Sequence, residues 1–369
     1  MRKLSIRNIL VPVDFSRISI QTIETAKRLA HQFDGTIHLA HIHHWQYPAD
    51  FVGPVLSSGF LPESFEEDRT RQLAEQLKTI ASKSGLSARD RTHVRTGASP
   101  FHEICRLAQE IPADLIVMPT HGYTGLRHVF LGSTAERVVQ HSPCPVFIVR
   151  KKKQRQKTGR QLPISTILVP TDFSSCSREG LLYAIGFANQ FGARIILLHA
   201  TYLGYIYSSE RTALYDIPGL QEAARKNAER QMRKLVRTVN FGRVKFETAL
   251  TEGSPVFDIC AFAKNHDVDL IITSTHGLTG LQHVLIGSVA EKVVRHAPCS
   301  VLVVPSHPKI RAANLEKSGG RKARALPKQQ QQRRPSRGMA LTRKNRKLAG
   351  HAFPERRKTN KFRESHVSR

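Results

Sequence analysis

The residues best suited to chemistry lie in a pattern that occurs twice. Thr120-His121-Gly122 is followed by nine residues and then Gly132-Ser133-Thr134; Thr275-His276-Gly277 is followed by nine residues and then Gly287-Ser288-Val289. In each copy an apolar run stops at the Thr-His-Gly turn, and the Gly-Ser pair opens a helical pattern. Glycine lets backbone approach a ligand closely, and the N–H groups at a helix start carry partial positive charge. Such a frame suits phosphate. An aspartate stands early in each copy, Asp14 after the apolar run 8–13 and Asp172 after the run 166–171. Asp14 and Asp172 read either as carboxylates stabilising a helix start or as acceptors for ribose hydroxyls and adenine N–H groups. His121 and His276 read either as phosphate contacts or as turn residues.

The elements that must hold these residues repeat with them. The short apolar runs resemble parallel strands buried on both faces. Ser16 and Ser174 are expected helix N-caps, and Gly35 and Gly192 the helix ends. Second strands follow at Thr36–His43 and Arg194–Ala200. Further helical spacing occurs over residues 62–83, with Leu73, Leu77 and Ile80 on one face, and over Ala224–Val239. Third strands are expected at Arg91–Thr96 and Val244–Leu250, helices at Pro100–Glu110 and Pro255–His266, fourth strands at Asp114–Met118 and Asp269–Thr273. The motif helices then lead to the last strands, Pro145–Val149 and Ser300–Val304, whose apolar edges are expected to pair with each other.

Five strands alternating with four helices per copy imply an α/β fold of two tandem three-layer α/β/α domains, each with a five-stranded parallel, doubly wound sheet. In the order 3-2-1-4-5, the crevice where strand order reverses lies between strands one and four. Asp14 ends strand one and Thr120-His121-Gly122 ends strand four, so the polar signals meet there. Long loops rich in aromatic, Gly and Pro residues, Trp45–Pro62 and Tyr202–Pro218, read equally as lids or as solvent-facing loops.

The 369 residues carry 57 Lys and Arg against 29 Asp and Glu, a net charge of +28. The charge is concentrated outside the repeats. From Ser306 onward there are 20 Lys and Arg against 3 Glu, and residues 150–160 hold 7 more with no acid. The expected organisation is residues 1–150 as a first domain, 151–162 as a basic linker, 163–305 as a second domain and 306–369 as a basic tail. The tail is too poor in large apolar side chains to offset its ordering entropy, and is expected to be disordered. No apolar run reaches the roughly 18–20 residues of a membrane span, and the first residues lack a signal peptide's apolar core, so a cytoplasmic protein is expected. Five cysteines without a Cys-x-x-Cys pair read as buried thiols rather than disulfides or metal ligands.

Taken together, Val-Pro-Val-Asp-Phe-Ser at 11–16, Val-Pro-Thr-Asp-Phe-Ser at 169–174 and the two Gly-nine-residue-Gly-Ser frames resemble the universal stress protein family in its tandem form. The resemblance covers residues 5–150 and 163–305. It implies an adenine-nucleotide alpha hydrolase-like fold and a stress-response protein that binds ATP, with or without Mg2+. The implied nucleotide contacts are Pro12, Val13, Asp14, Ile42, Met118, His121, Gly122, Gly132, Ser133 and Thr134 in the first copy. In the second they are Pro170, Thr171, Asp172, Ala200, Thr273, Ser274, His276, Gly277, Gly287, Ser288 and Val289. The family's ATP pattern has glycine where this chain has Pro119 and Ser274. Proline offers no N–H and fixes φ, so the second copy is the better expected nucleotide site.

Other chemistries find less in the sequence. His38, His41, His43 and His44 suggest metal, but strand alternation places His41 and His43 on one face and His38 and His44 on the other, without three converging ligands. No Gly-x-x-x-x-Gly-Lys-Ser/Thr loop is present, and no catalytic residue is assigned. The resemblance leaves slow ATP hydrolysis open. The alternative to nucleotide binding is a stress scaffold whose basic tail binds nucleic acid or an acidic partner. A homodimer remains open alongside an intramolecular pseudo-dimer.

Overall fold

The structure is a computed structural model that describes residues 4–44, 63–120, 131–150, 162, 164–201, 219–275 and 287–305. All fall in one compact unit, Met1–Gly319. The aromatic loops, the Thr-His-Gly glycines, most of the basic linker and the tail lie outside the described residues.

The first half runs β1 (Asn8–Pro12), α1 (Arg17–Phe33), β2 (Thr36–His43), α2 (Glu63–Lys83), β3 (Arg91–Thr96), α3 (Pro100–Glu110), β4 (Leu115–Pro119), α4 (Ser133–His141) and β5 (Val146–Val149). The second repeats it as β6 (Thr166–Pro170), α5 (Ser175–Phe191), β7 (Arg194–Thr201), α6 (Leu220–Thr238), β8 (Phe246–Glu252), α7 (Pro255–Asn265), β9 (Leu270–Ser274), α8 (Ser288–His296) and β10 (Ser300–Val304). One sheet holds all ten strands in the order β3-β2-β1-β4-β5-β10-β9-β6-β7-β8. Each half therefore has the 3-2-1-4-5 order, and its pairings are parallel.

Parallel strands covered by helices on both faces need apolar residues without alternation, and β1 and β4 consist almost wholly of buried residues. Their side chains divide between two cores. Ile9, Val11, Leu115 and Val117 join Ile23 and Leu29 of α1, Leu77 of α2, Phe187 of α5 and Met232 of α6 on one face. Leu10, Ile116 and Met118 join Leu107 of α3, Val138 of α4, Ile259 of α7 and Val293 of α8 on the other. Both cores run through both halves. Each fully buried Leu, Ile or Phe contributes about 1.5–3 kcal/mol relative to exposure.

The last strands pair antiparallel, Val146 with Val303, Phe147 with Leu302 and Ile148 with Val301. Polar contacts flank that junction. Arg150 donates its guanidinium N–H groups to the carbonyls of Val294, at 3.1 Å, and Arg295, at the C-terminal end of α8, where a cation complements the helix dipole. On the opposite face, the Gln32 amide donates to the Gln190 carbonyl at 2.6 Å and the Gln190 amide donates to the Gln32 carbonyl at 2.5 Å.

Local details depart from the sequence reading most clearly at one helix end and one strand start. The left-handed residue that ends α1 is Asp34, φ 55°, rather than Gly35, while α5 ends at Gly192, φ 65°, as expected. Gly35 answers a different demand: a Cβ there would stand 2.9 Å from the Ile6 carbonyl oxygen. The third strand of the second half begins at Phe246 instead of Val244. β8 is an exposed sheet edge, where apolar periodicity is weak.

Two aspartate pairs of contacts fix the crossing of the sheet. Asp114, just before β4, accepts through Oδ2 from the N–H groups of Arg7 and Asn8 at 2.8 and 3.0 Å. Asp269, just before β9, accepts from those of Ser165 and Thr166 at 2.9 and 3.1 Å. These bonds set the starts of strands one and four side by side in each half, so their carboxyl ends open together.

Candidate functional site

The carboxyl end of each first strand folds into the same turn. β1 ends at Pro12, and Val13 still donates its N–H to the Ala40 carbonyl at 2.8 Å. The half-buried Asp14 then accepts the Ser16 N–H through Oδ1 at 3.0 Å. Ser16 caps α1, its Oγ accepting from the Ser19 N–H at 3.2 Å. In the second half Thr171 donates to the Leu198 carbonyl at 2.8 Å. There Asp172 Oδ1 accepts from the Ser174 N–H at 3.0 Å and the Ser174 hydroxyl at 2.6 Å, and Ser174 caps α5. The expected N-caps are thus the residues that receive the aspartate turn.

The carboxyl ends of β4 and β9 meet the motif helices. Gly132 donates its N–H to the Thr120 carbonyl at 2.8 Å, and Gly287 donates to the Thr275 carbonyl at 2.6 Å. These bonds draw the start of α4 back onto the end of β4 and the start of α8 onto β9. Because β4 pairs directly with β1, and β9 with β6, the aspartate turn and the Gly-Ser helix start stand at the ends of adjacent strands. Gly132 and Gly287 are the N-caps of α4 and α8, with no side-chain capping bond in either. The contrast with Ser16 and Ser174 is chemical: a glycine cap leaves first-turn N–H groups unclaimed by its own side chain, which favours an anionic ligand. Ser133 and Ser288 are exposed there.

Two acids in these first turns oppose an anion. Arg295 offsets both, lying 2.9 Å from Glu291 and 3.5 Å from Glu136 of the other half. One cation thus serves both helix starts.

The remaining residues implied by the resemblance occupy equivalent positions. Pro12 and Pro170 end β1 and β6; Ile42, Met118, Ala200 and Thr273 are each one residue before the end of β2, β4, β7 and β9. Met118 is buried in the core, so its backbone is what it can present at the crevice. Thr134 and Val289 follow the helix-start serines. Pro119 ends β4 without an N–H to offer, whereas Ser274 ends β9 and is buried. His121, Gly122, His276 and Gly277 lie outside the described residues.

A residue of each half that the sequence reading did not connect with the aspartates is His41, matched by His199. Nδ1 of His41 lies 2.9 Å from the Val13 carbonyl oxygen and Nδ1 of His199 lies 2.8 Å from that of Thr171. Since a carbonyl only accepts, Nδ1 carries the proton and donates. The signal available in sequence was the same histidine at the same strand position in both copies.

His38 and His93 form a different pair, with Nδ1 and Nε2 3.0 Å apart across β2 and β3. His44 lies beyond β2 rather than on its opposite face. Among the described residues, no group of three His, Cys, Asp or Glu could hold a metal ion. Burial is the first cause that lowers the pKa of His38, His41, His93 and His199 from the usual 6.5. The unfolded chain takes up these protons near pH 6.5 while the folded chain resists them. Stability contributed above pH 6.5 is therefore lost as pH falls through the lowered native values. Urea midpoints at pH 7.5 and 5.5 are expected to show this loss, and replacing His38 and His93 by Gln reduces it.

The family model of the universal stress protein family matches residues 5–150 and 163–305. The chain belongs to the universal stress protein family. Among relatives, this universal stress protein is similar to the universal stress protein MJ0531 of Methanocaldococcus jannaschii, with 32% identity over 138 residues, 37% of this chain and 80% of that protein. A universal stress protein of Mycolicibacterium smegmatis is 24% identical over 305 residues, 80% of this chain and 96% of that one, so the similarity spans both repeats. The crystal structure of a universal stress protein from Archaeoglobus fulgidus shares the fold at a TM-score of 0.54 and 19% identity, covering 83% of this chain and 99% of that chain. Among the described residues of this family member, no helix is long and apolar enough to cross a membrane.

Proposed function

We propose that the chain is a cytoplasmic, nucleotide-responsive stress protein that binds ATP at the carboxyl ends of strands one and four. The observation that carries this reading is the twofold juxtaposition of an aspartate turn with an uncapped Gly-Ser helix start on neighbouring parallel strands. Asp14 or Asp172 accepts from the ribose or adenine, and the N–H groups and hydroxyl at Ser133 or Ser288 hold the phosphates. Mg2+ bound to the phosphates would lower their net charge. Pro119 makes the first site the weaker. The output is a change of conformation or partner on binding. Isothermal titration of ATP with Mg2+ into the full chain, with GTP in competition, tests the reading. Saturable binding that GTP does not displace is expected, and no adenine-nucleotide binding at millimolar ligand overturns it.

The position of the charge favours a second activity separable from the first. The 20 basic residues beyond Ser306 are set to neutralise a polyanion such as RNA or DNA, with affinity falling steeply with salt. Removal of residues 306–369 is expected to abolish retention on nucleic acid while leaving the ATP titration unchanged.

A further inference from the structure

Each aspartate of the proposed sites lies between two groups that one imidazole holds. On its N-terminal side, the carbonyl of Val13 or Thr171 accepts from Nδ1 of His41 or His199 at 2.9 or 2.8 Å. On its C-terminal side, the ring of Phe15 or Phe173 lies on that imidazole, with centroids 4.0 Å apart and planes at 24° in the first half, and 4.4 Å and 35° in the second. Phe15 and Phe173 have φ of 60° and 65°. For a bulky aromatic residue this left-handed backbone is unfavourable, and it persists where surrounding contacts over-determine it. The imidazole supplies such contacts on both flanks of the aspartate, and the same arrangement recurs in both halves.

We propose that His41 and His199 are positioning residues that aim Asp14 and Asp172 at the nucleotide. The inference rests on the nucleotide reading for its consequence, but the clamp itself has an independent readout. Rotating the Val13 or Thr171 peptide, or releasing the phenylalanine to a negative φ, redirects the next carboxylate and breaks its bond from the Ser16 or Ser174 N–H. The essential donor is Nδ1, one bond from Cγ. Asparagine places its amide nitrogen at that position, whereas glutamine places one where Nε2 stands, so H199N retains the clamp and H199Q removes it.

The test uses the full chain carrying H199N or H199Q, with folding checked by its melting transition. Hydrogen exchange of the Ser174 amide reports the aspartate turn, and calorimetry with ATP and Mg2+ reports the ligand. Exchange at Ser174 is expected to be at least tenfold faster, and ATP affinity about tenfold lower, in H199Q, with H199N close to the parent in both. Unchanged Ser174 exchange in a folded H199Q, or equal effects of the two substitutions, overturns the positioning role. Should the parent chain bind no ATP while H199Q still accelerates Ser174 exchange, the clamp stands and the nucleotide reading falls.

Discussion

Truncating Phe187 to alanine is expected to lower the unfolding free energy by about 3–5 kcal/mol, the range for removing a large aromatic side chain from a core that relaxes only partly. Phe187 is fully buried near the C-terminal end of α5. Its ring centroid lies 4.9 Å from that of Phe191, 6.4 Å from that of Tyr183 and 5.4 Å from that of Phe33 in the other half. The hydroxyl of Tyr183 in this cluster is buried with no hydrogen-bond partner among the described residues, and burial pushes its pKa up. Because the cluster joins α1 to α5 across the two repeats, the substitution weakens both halves together. Guanidinium unfolding followed by far-ultraviolet circular dichroism and by the fluorescence of tyrosines should show a single transition moved to lower denaturant. Loss confined to one half, with the other unfolding at the parent midpoint, would refute a shared core.

The parts of this fold most legible in sequence were those governed by one dominant force. Runs such as Ile9-Leu10-Val11 and Leu115-Ile116-Val117 announce strands buried on both faces because they are short, β-branched-rich and closed by Pro12 or Pro119. Parallel pairing followed from the alternation with helices and the handedness of crossovers, and the order 3-2-1-4-5, taken as one of the doubly wound arrangements, is the one observed in each half. The sequence was less informative where competing demands meet. Gly35 looks like a helix end, yet the short polar side chain of Asp34 tolerates the left-handed conformation, while Gly35 is needed for its approach to the Ile6 carbonyl. At the edge strand β8, solvent replaces one neighbour and the apolar pattern that marks a boundary fades.

In the candidate site, the residue types were legible but their support was not. Asp14, Asp172 and the two Gly-Ser pairs stand out because they recur at the same places in both copies. His41 is one of three histidines in β2 and His199 the one histidine of β7, and their importance depends on a carbonyl nearly thirty residues away. The shared use of Arg295 by Glu136 and Glu291 depends on the pairing of β5 with β10, which brings the two helix starts to one cation. Neither relation has a local sequence signature. Both follow once topology is known.

The asymmetry between Pro119 and Ser274 leads to the prediction with the largest effect on binding. Asp172→Ala is expected to reduce ATP affinity by roughly 10- to 150-fold, the consequence of losing a charge-assisted hydrogen bond of about 1.5–3 kcal/mol. Asp14→Ala is expected to leave the tight component of the titration intact. Asp172 Oδ1 is held by both the N–H and the hydroxyl of Ser174, so the carboxylate is already oriented before a ligand arrives, and little ordering cost is left to binding. Ser274 keeps an N–H at the end of β9, and Thr275 beyond it donates its own N–H to the Val304 carbonyl at 3.0 Å, fixing the base of the loop. Pro119 has no such hydrogen to give. Calorimetry on the parent and the two alanine variants separates the sites: one tight equivalent lost with Asp172 supports the asymmetry, whereas equal losses from the two substitutions would show that the proline is accommodated and that both halves bind alike. Pro119→Ser then sharpens the comparison, since restoring an N–H at the end of β4 is expected to raise the first site's affinity toward that of the second.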